Sequence, residues 1–406
     1  MLLPGLLVAA TGVGAGDLIT ASLAGSELGT TLLWAAALGA LLKAALNEGL
    51  ARWQLATGTT LLEGWAAHLP IALGWAFGLY LLLWSFVVGG ALISACGMAG
   101  SALLPIGDAQ TGRVVWGVAH SLVGLAIVRR GGFALFERIM AACIVVMVLC
   151  VTFTAAWLAP PVAELAAGFV PSVPAGGLGW TLGVLGGVGG TVTLLSYGYW
   201  IREHGRDSPR HLKTCRIDLG VAYAITALFG MAMLVIGSRL QLSGQGAGVA
   251  LALADQLESV LGPAGRWLFL VGFWGAVFSS LLGVWQSVPI LFSDWWRLWR
   301  VPSAGRTAPP ERPAAGSIDP VARRFQIALA LIPLGLLGGS IVTVQLAYAV
   351  FGALFMPFLA ATLLWMCGRR LWVGDAYRNR WVSISLLTLT VAFFVWQGVA
   401  KTLTTG

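Results

Sequence analysis

Gly12-Val13-Gly14-Ala15-Gly16-Asp17 and Gly186-Gly187-Val188-Gly189-Gly190-Thr191-Val192-Thr193 are the two stretches that decide how this chain folds. Each lies inside an apolar run long enough to cross a bilayer, where an unbroken helix has no use for clustered glycine. A helix opened at such a cluster frees carbonyls and amides at membrane depth, which only surrounding protein or a water-filled cavity can satisfy. One cluster alone reads as close helix packing through small residues. Two clusters, each in the first span of a five-span unit, read differently. Interrupted segments at matching positions in two halves mark an inverted repeat with a binding site between them.

Working outward, 58% of the 406 residues are hydrophobic and 10% charged, with a mean hydropathy of +0.87. A soluble domain carries about 25% charged residues, so this chain could not clothe a water-facing surface. The composition implies an all-α polytopic membrane protein. It sets aside a soluble enzyme, a nucleic-acid binder and a secreted disulfide scaffold. Hydropathy predicts eleven transmembrane helices at about 4–25, 31–55, 72–104, 111–128, 133–158, 176–201, 217–238, 264–296, 323–341, 343–367 and 382–402. The expected organisation is a first five-helix repeat (1–158), a second, inverted one (159–367) and one extra C-terminal helix (368–406), with helices one and six broken. The N-terminal stretch MLLPGLLVAATGVGAGD lacks a basic leader and reads as the first span rather than a removable signal.

The basic residues orient these spans. With the N-terminus in the cytoplasm and the C-terminus outside, 19 of the 24 Lys and Arg residues fall on the cytoplasmic side, leaving Arg113, Arg239, Arg266 and Lys401 opposite and Lys43 within a span. That asymmetry follows the positive-inside rule, so the net charge of +8 reflects topology more than an acidic partner. A bacterial inner membrane is the expected location. The stretch VPSAGRTAPPERPAAGSIDP (301–320) reads as a flexible linker. Cys96, Cys143, Cys150, Cys215 and Cys367 form no CxxC pair, so neither a disulfide framework nor a structural zinc site is expected.

Ionisable residues inside spans need a partner or water, because each costs roughly 2.5–3.5 kcal/mol near the bilayer centre. Asp17 follows the first break, and Lys43 and Glu48 lie in span two. Several readings stand. Lys43 pairs with Asp17 or Glu48 as a static pin between helices one and two, or it stands in for a coupling ion; Asp17 contacts a cation; Glu48 is solvated near the cytoplasmic end. The cluster Ser196-Tyr197-Gly198-Tyr199-Trp200 reads as an interface anchor, since aromatic residues gather where a span meets the headgroups. Glu203, His204 and His211 read as a solvated face, and Asp294 as ion-paired at the membrane edge. No P-loop, Ser/His/Asp arrangement or dinucleotide fingerprint is present, and no enzymatic activity or resident cofactor is expected.

Several of these stretches resemble one family. PGLLVAATGVGAGDLITASLAGSELGTTLLW (4–34) is similar to the first-helix region of the natural resistance-associated macrophage protein (Nramp) divalent-metal transporters, and ARWQLATGTTLLE (51–63), with Glu63, is similar to their stretch after helix two. GGTV (189–192) resembles the opening of their helix six, FSSLLGVWQ (278–286) their helix-eight segment, and Gln345 falls where the family has a helix-ten glutamine. The resemblance implies the leucine-transporter fold. It aligns Gly14-Ala15-Gly16-Asp17 with the family's Asp-Pro-Gly-Asn and Thr193-Leu194-Leu195 with its Met-Pro-His, while the helix-three stretch 80–100 lacks the family's acidic residues. By that alignment the substrate site comprises Gly14, Asp17, Gly190, Thr193, Ser196 and Gln345, with Asp17, Thr193 and Gln345 as metal ligands. Such an all-oxygen set suits Mn²⁺ or Mg²⁺ better than iron. The expected function is a secondary carrier of divalent cations working by alternating access. A carrier of a small organic solute and a non-transporting membrane sensor are the alternatives.

Overall fold

The first helix, α1 (Leu3–Gly12), takes Pro4 in its first turn, where a missing N–H costs nothing. It stops at Val13, whose backbone turns to φ −86° and ψ 108°, and α2 (Ala15–Leu28) resumes after Gly14. The first span is therefore broken. The sixth breaks as well: α9 (Leu178–Gly187) ends before Gly190, which has φ +73°, and Thr191 is non-helical at φ −133° and ψ −110°. A single 3₁₀ turn (Val192–Leu195) then leads into α10 (Ser196–Glu203). The computed structural model describes residues 2–187, 190–240, 248–300 and 319–405; the linker expected at 301–320 lies almost wholly outside the described residues.

Between and after the breaks come α3 (Leu33–Thr57), α4 (Leu61–His68), α5 (Ile71–Leu103), α6 (Ala109–Arg130), α7 (Gly132–Trp157) and α8 (Val162–Ala167). After α10 come α11 (Leu212–Ser238), α12 (Gly248–Leu261), α13 (Pro263–Arg300), α14 (Pro320–Leu331), α15 (Ile341–Met366), α16 (Arg370–Val373) and α17 (Trp381–Thr405). Seven helical stretches among the described residues are long and apolar enough to cross a membrane, corresponding to the third, fourth, fifth, seventh, eighth, ninth and tenth expected spans. The first and sixth expected spans fall outside that group because they are interrupted. α3, at 25 residues, is unbroken but carries Lys43, Glu48 and Arg52. Hydropathy does not predict the short helices α4, α8, α12 and α16.

Local sequence sets several of these ends. Thr60 and Glu63 form a capping box at α4: Glu63 N–H donates to Thr60 Oγ1 (3.1 Å) and Thr60 N–H to Glu63 Oε2 (2.7 Å). Asp108 accepts the Thr111 N–H at the start of α6, and Asp319, followed by Pro320, accepts the Ala322 N–H at the start of α14.

α13 runs through the middle of the bundle, against α1, α5, α6, α7, α12 and α14. α2 and α11 approach backbone to backbone, since a Cβ at Gly25 would lie 2.2 Å from Leu234 O and one at Gly237 2.0 Å from Ser22 O. Leu79, Leu83, Leu149, Phe153 and Val395 stay exposed and make up part of an apolar belt. All five cysteines are buried and unpaired. At one end α3, α6, α10 and α13 finish while α5, α7, α11 and α14 begin, and the arginines gather there; it is called the basic end below.

Candidate functional site

The two breaks touch. Gly190 N–H donates to Gly12 O at 3.0 Å, one interrupted backbone hydrogen-bonding to the other. Gly190 is held in the left-handed region that glycine adopts without strain, and a Cβ there would stand 3.4 Å from Gly12 Cα and 3.1 Å from Thr193 Oγ1. Thr193, only 7% exposed, is thus packed directly beneath the second break. Gly14 lies beside Ser280, whose Oγ is 3.3 Å from the position of a Cβ.

The carbonyls freed at the first break are taken up by α13. Ser279 Oγ donates to Ala10 O (2.9 Å), and Ser280 Oγ lies within donating distance of Val13 O (2.8 Å) and Thr11 O (3.1 Å). Thr11 packs over Gly283, where a Cβ would meet its Oγ1 at 2.0 Å. The second break has a different donor. Lys43 Nζ, on a side chain 2% exposed, donates to Gly186 O at 2.9 Å. An ammonium at the last turn of α9 complements the negative end of that half-helix.

α15 leans on both breaks with one face. Tyr348 Cε1 comes 3.7 Å from where a Gly16 Cβ would be, and a Cβ at Gly352 would lie 2.6 Å from Thr191 Cγ2. Gln345 shares this face at the i, i+3, i+7 spacing, and its Nε2 donates to Ala91 O of α5 at 3.1 Å. Ser196 Oγ lies 2.7 Å from Ser287 Oγ, which in turn donates to Gly283 O at 2.7 Å, tying α10 to α13. Asp17 is the third residue of α2, where free amides favour an anion; its side chain lies outside the described residues. Among the described residues no three His, Cys, Asp or Glu side chains gather to hold a metal.

Two expectations need correction. Glu48 is not the partner of Lys43: its Oε2 takes Arg52 Nε (3.1 Å) and its Oε1 takes Arg216 (2.8 Å), at the basic end. Five residues separate Lys43 from Glu48, which turns them to different sides of α3. Nor is Ser196–Trp200 an interface anchor. The whole segment is buried, because α10 is surrounded by α1, α3 and α13, and its polar tips bond inward. Tyr197 OH donates to Asp218 (3.0 Å), Tyr199 OH to Asp294 (2.9 Å) and Trp200 Nε1 to Gln286 (2.8 Å). Asp294 also pairs with Arg297 at 3.0 Å, as its neighbours in sequence suggested.

The family model for natural resistance-associated macrophage protein-like chains matches residues 5–403. The chain belongs to that Nramp-like family. Its fold is similar to that of a manganese transporter from Eremococcus coleocola, with TM-score 0.78 and 18% identity over 98% of this chain and 85% of that one. A second structure of that transporter, bound to an aromatic bis-isothiourea substituted compound, gives TM-score 0.76 and 19% identity over 96% and 83% of the two chains. MhsT in complex with L-phenylalanine is similar at TM-score 0.59 and 17% identity, over 97% of each chain. No curated protein matches the sequence.

In this Nramp-like chain the sequence reading missed the residues that hold the breaks in place. Ser279 and Ser280 sit in an apolar helix with nothing to mark them as caps. Asp218 is 0% exposed and accepts from Gly5 N–H (3.0 Å), Tyr197 OH (3.0 Å) and Arg206 Nη1 (2.8 Å), so it ties α1 to α10. An acidic residue inside an expected span, 217–238, was the available signal.

Proposed function

We propose that this chain is a secondary carrier of divalent cations that works by alternating access, with the site between the two interrupted helices. One observation carries the reading: both helices open at the same level, where Gly190 N–H meets Gly12 O, and Asp17 stands in the first turn beyond the first opening. Asp17, the Thr193 hydroxyl and the Gln345 amide oxygen are the cation ligands, with carbonyls near Gly14 and Gly190 and Ser196 close by. The Gln345 assignment draws on its Nε2 being engaged by Ala91 O, which leaves Oε1 for a cation. These are hard oxygen donors, and the cargo is Mn²⁺ or Mg²⁺ in preference to iron. α15 closes over the site through Tyr348 and Gly352.

The same reading takes the chain as eleven spans in two inverted five-helix repeats (1–158 and 159–367) with an added helix (368–406), lying in a bacterial inner membrane. The N-terminus and the basic end face the cytoplasm, supported by the gathering of arginines there. Family membership and the fold shared with a manganese transporter support the class of cargo.

Asp17→Ala is the test. In proteoliposomes the variant should lose Mn²⁺ and Mg²⁺ flux while purifying as a single species; wild-type flux would remove Asp17 from the site. A second reading, a small carboxylate-bearing solute, draws on the buried Lys43 ammonium beside the second break. Calorimetric titration separates the two: heat with Mn²⁺ but none with amino acids supports the cation, and the reverse supports the solute.

A further inference from the structure

Away from the breaks, a cavity of about 590 Å³ lies at the basic end between α6, α7, α13 and α14, with Glu203 at the end of α10 on its rim. Its lining has two parts. Among the described residues of its lining, Arg129, Arg130 and Arg323 supply three guanidinium groups against the one carboxylate of Glu203. Leu122, Leu125, Ala126 and Ile290 make an apolar wall. Leu122 and Arg129 are seven residues apart on α6, so the wall runs about 10 Å along the helix away from the charges. At its far end Leu122 is 44% exposed and the neighbouring Val123 50%, so the wall continues into the apolar outer surface of the bundle.

We infer that this cavity is a binding site for an anionic phospholipid. The phosphodiester sits among Arg129, Arg130 and Arg323, and the first part of an acyl chain lies along Leu122, Leu125 and Ala126. Two features together select a lipid over a soluble anion. Guanidinium groups recognise phosphate oxygens through a planar fork of donors, which any phosphate would use. The apolar wall leading from them to the lipid-facing surface serves only a ligand that carries a hydrocarbon chain. Basic pockets between membrane helices are where anionic headgroups bind. The bound lipid touches four membrane helices and the end of α10, the half-helix that follows the second break.

The test uses the full-length protein in neutral detergent, with phosphatidylglycerol and phosphatidylcholine as probes and native mass spectrometry to count retained lipid. Phosphatidylglycerol should be retained in preference to phosphatidylcholine. The triple variant Arg129→Gln, Arg130→Gln, Arg323→Gln should weaken that retention on the order of 100-fold. Removing the same charge outside the cavity, with Arg210→Gln, Arg378→Gln and Arg380→Gln, should leave retention unchanged. Equal losses in the two triple variants would reduce the effect to general surface attraction and overturn the site. Ala126→Trp removes no charge and blocks the wall. It should also lower phosphatidylglycerol retention, and it keeps the test decisive if the arginine variant does not purify. Retention unaffected by Ala126→Trp but abolished by inorganic phosphate would mean a soluble-anion site, and the lipid assignment would fall.

Discussion

The two breaks pose the same physical problem, and the chain answers it in two ways. At the first, the freed carbonyls of Ala10, Thr11 and Val13 meet neutral hydroxyls, Ser279 and Ser280, from a single neighbouring helix. At the second, Gly186 O meets the ammonium of Lys43, and the Gly190 amide is used by the backbone of the first break. A serine hydroxyl can rotate away, and a carbonyl that accepts one hydrogen bond keeps a second lone pair. The first break can therefore offer oxygen to an arriving cation at little cost. The second already holds the Lys43 ammonium, which complements the C-terminal end of α9. If the chain carries a cation as proposed, the first break is the side that has oxygen to offer it.

The largest effect should come from the residue that ties the two interrupted helices together. Asp218 is fully buried and holds α1 through Gly5 N–H and α10 through Tyr197, with Arg206 balancing its charge. Asp218→Asn removes one charge of the buried Asp218–Arg206 ion pair, a loss of about 3–5 kcal/mol, read as a lower unfolding temperature in detergent. It should also loosen α1 from α10, so that Cys215, wholly buried in the parent, becomes open to a water-soluble maleimide. A variant as stable and as protected as the parent would show that α1 and α10 are held by packing alone.

Lys43→Met should come next, at about 2–3 kcal/mol, since it removes a buried charged donor from Gly186 O. Mn²⁺ binding is the sharper readout. If the Lys43 charge steers the cargo toward Asp17, the variant should bind Mn²⁺ at least as tightly as the parent despite its lower stability. Weaker Mn²⁺ binding would mean that Lys43 supports the site rather than shaping its field.

Much of this arrangement is legible in the sequence, for stated reasons. Seven of the expected spans coincide with helical stretches long and apolar enough to cross a membrane, because an apolar run that must cross a fixed thickness of lipid leaves little freedom in length. The breaks are legible because two glycine clusters fall at matching positions in two halves of the chain, which close packing alone does not require. The partners that satisfy the breaks are not. Lys43 and Gly186 are 143 positions apart, and Ser279 lies 269 positions from Ala10, so no local spacing joins them. The aromatic run Tyr197–Trp200 reads as an anchor because aromatic residues near a span end favour the interface; the encirclement of α10 by α1, α3 and α13 buries it instead. Asp218 falls one residue inside its expected span, where an acidic side chain passes for a solvated edge charge.

The smallest effect tests the neutral side of the contrast. Ser280→Ala removes a hydroxyl that lies 2.8 Å from Val13 O and 3.1 Å from Thr11 O, yet one hydroxyl proton serves one carbonyl at a time. Ser279 remains beside it, donating to Ala10 O. The expected cost is therefore about 1 kcal/mol, the net worth of one neutral hydrogen bond, seen as a shift of a few degrees at most in detergent. Binding should respond in the opposite sense from stability. With its hydroxyl gone, Val13 O has no donor to give up when a cation arrives, and Mn²⁺ affinity should hold or rise while the melting temperature falls. If Ser280→Ala costs as much as Lys43→Met, the charge on Lys43 is not what separates the two breaks, and the first is no freer than the second to take up a cation.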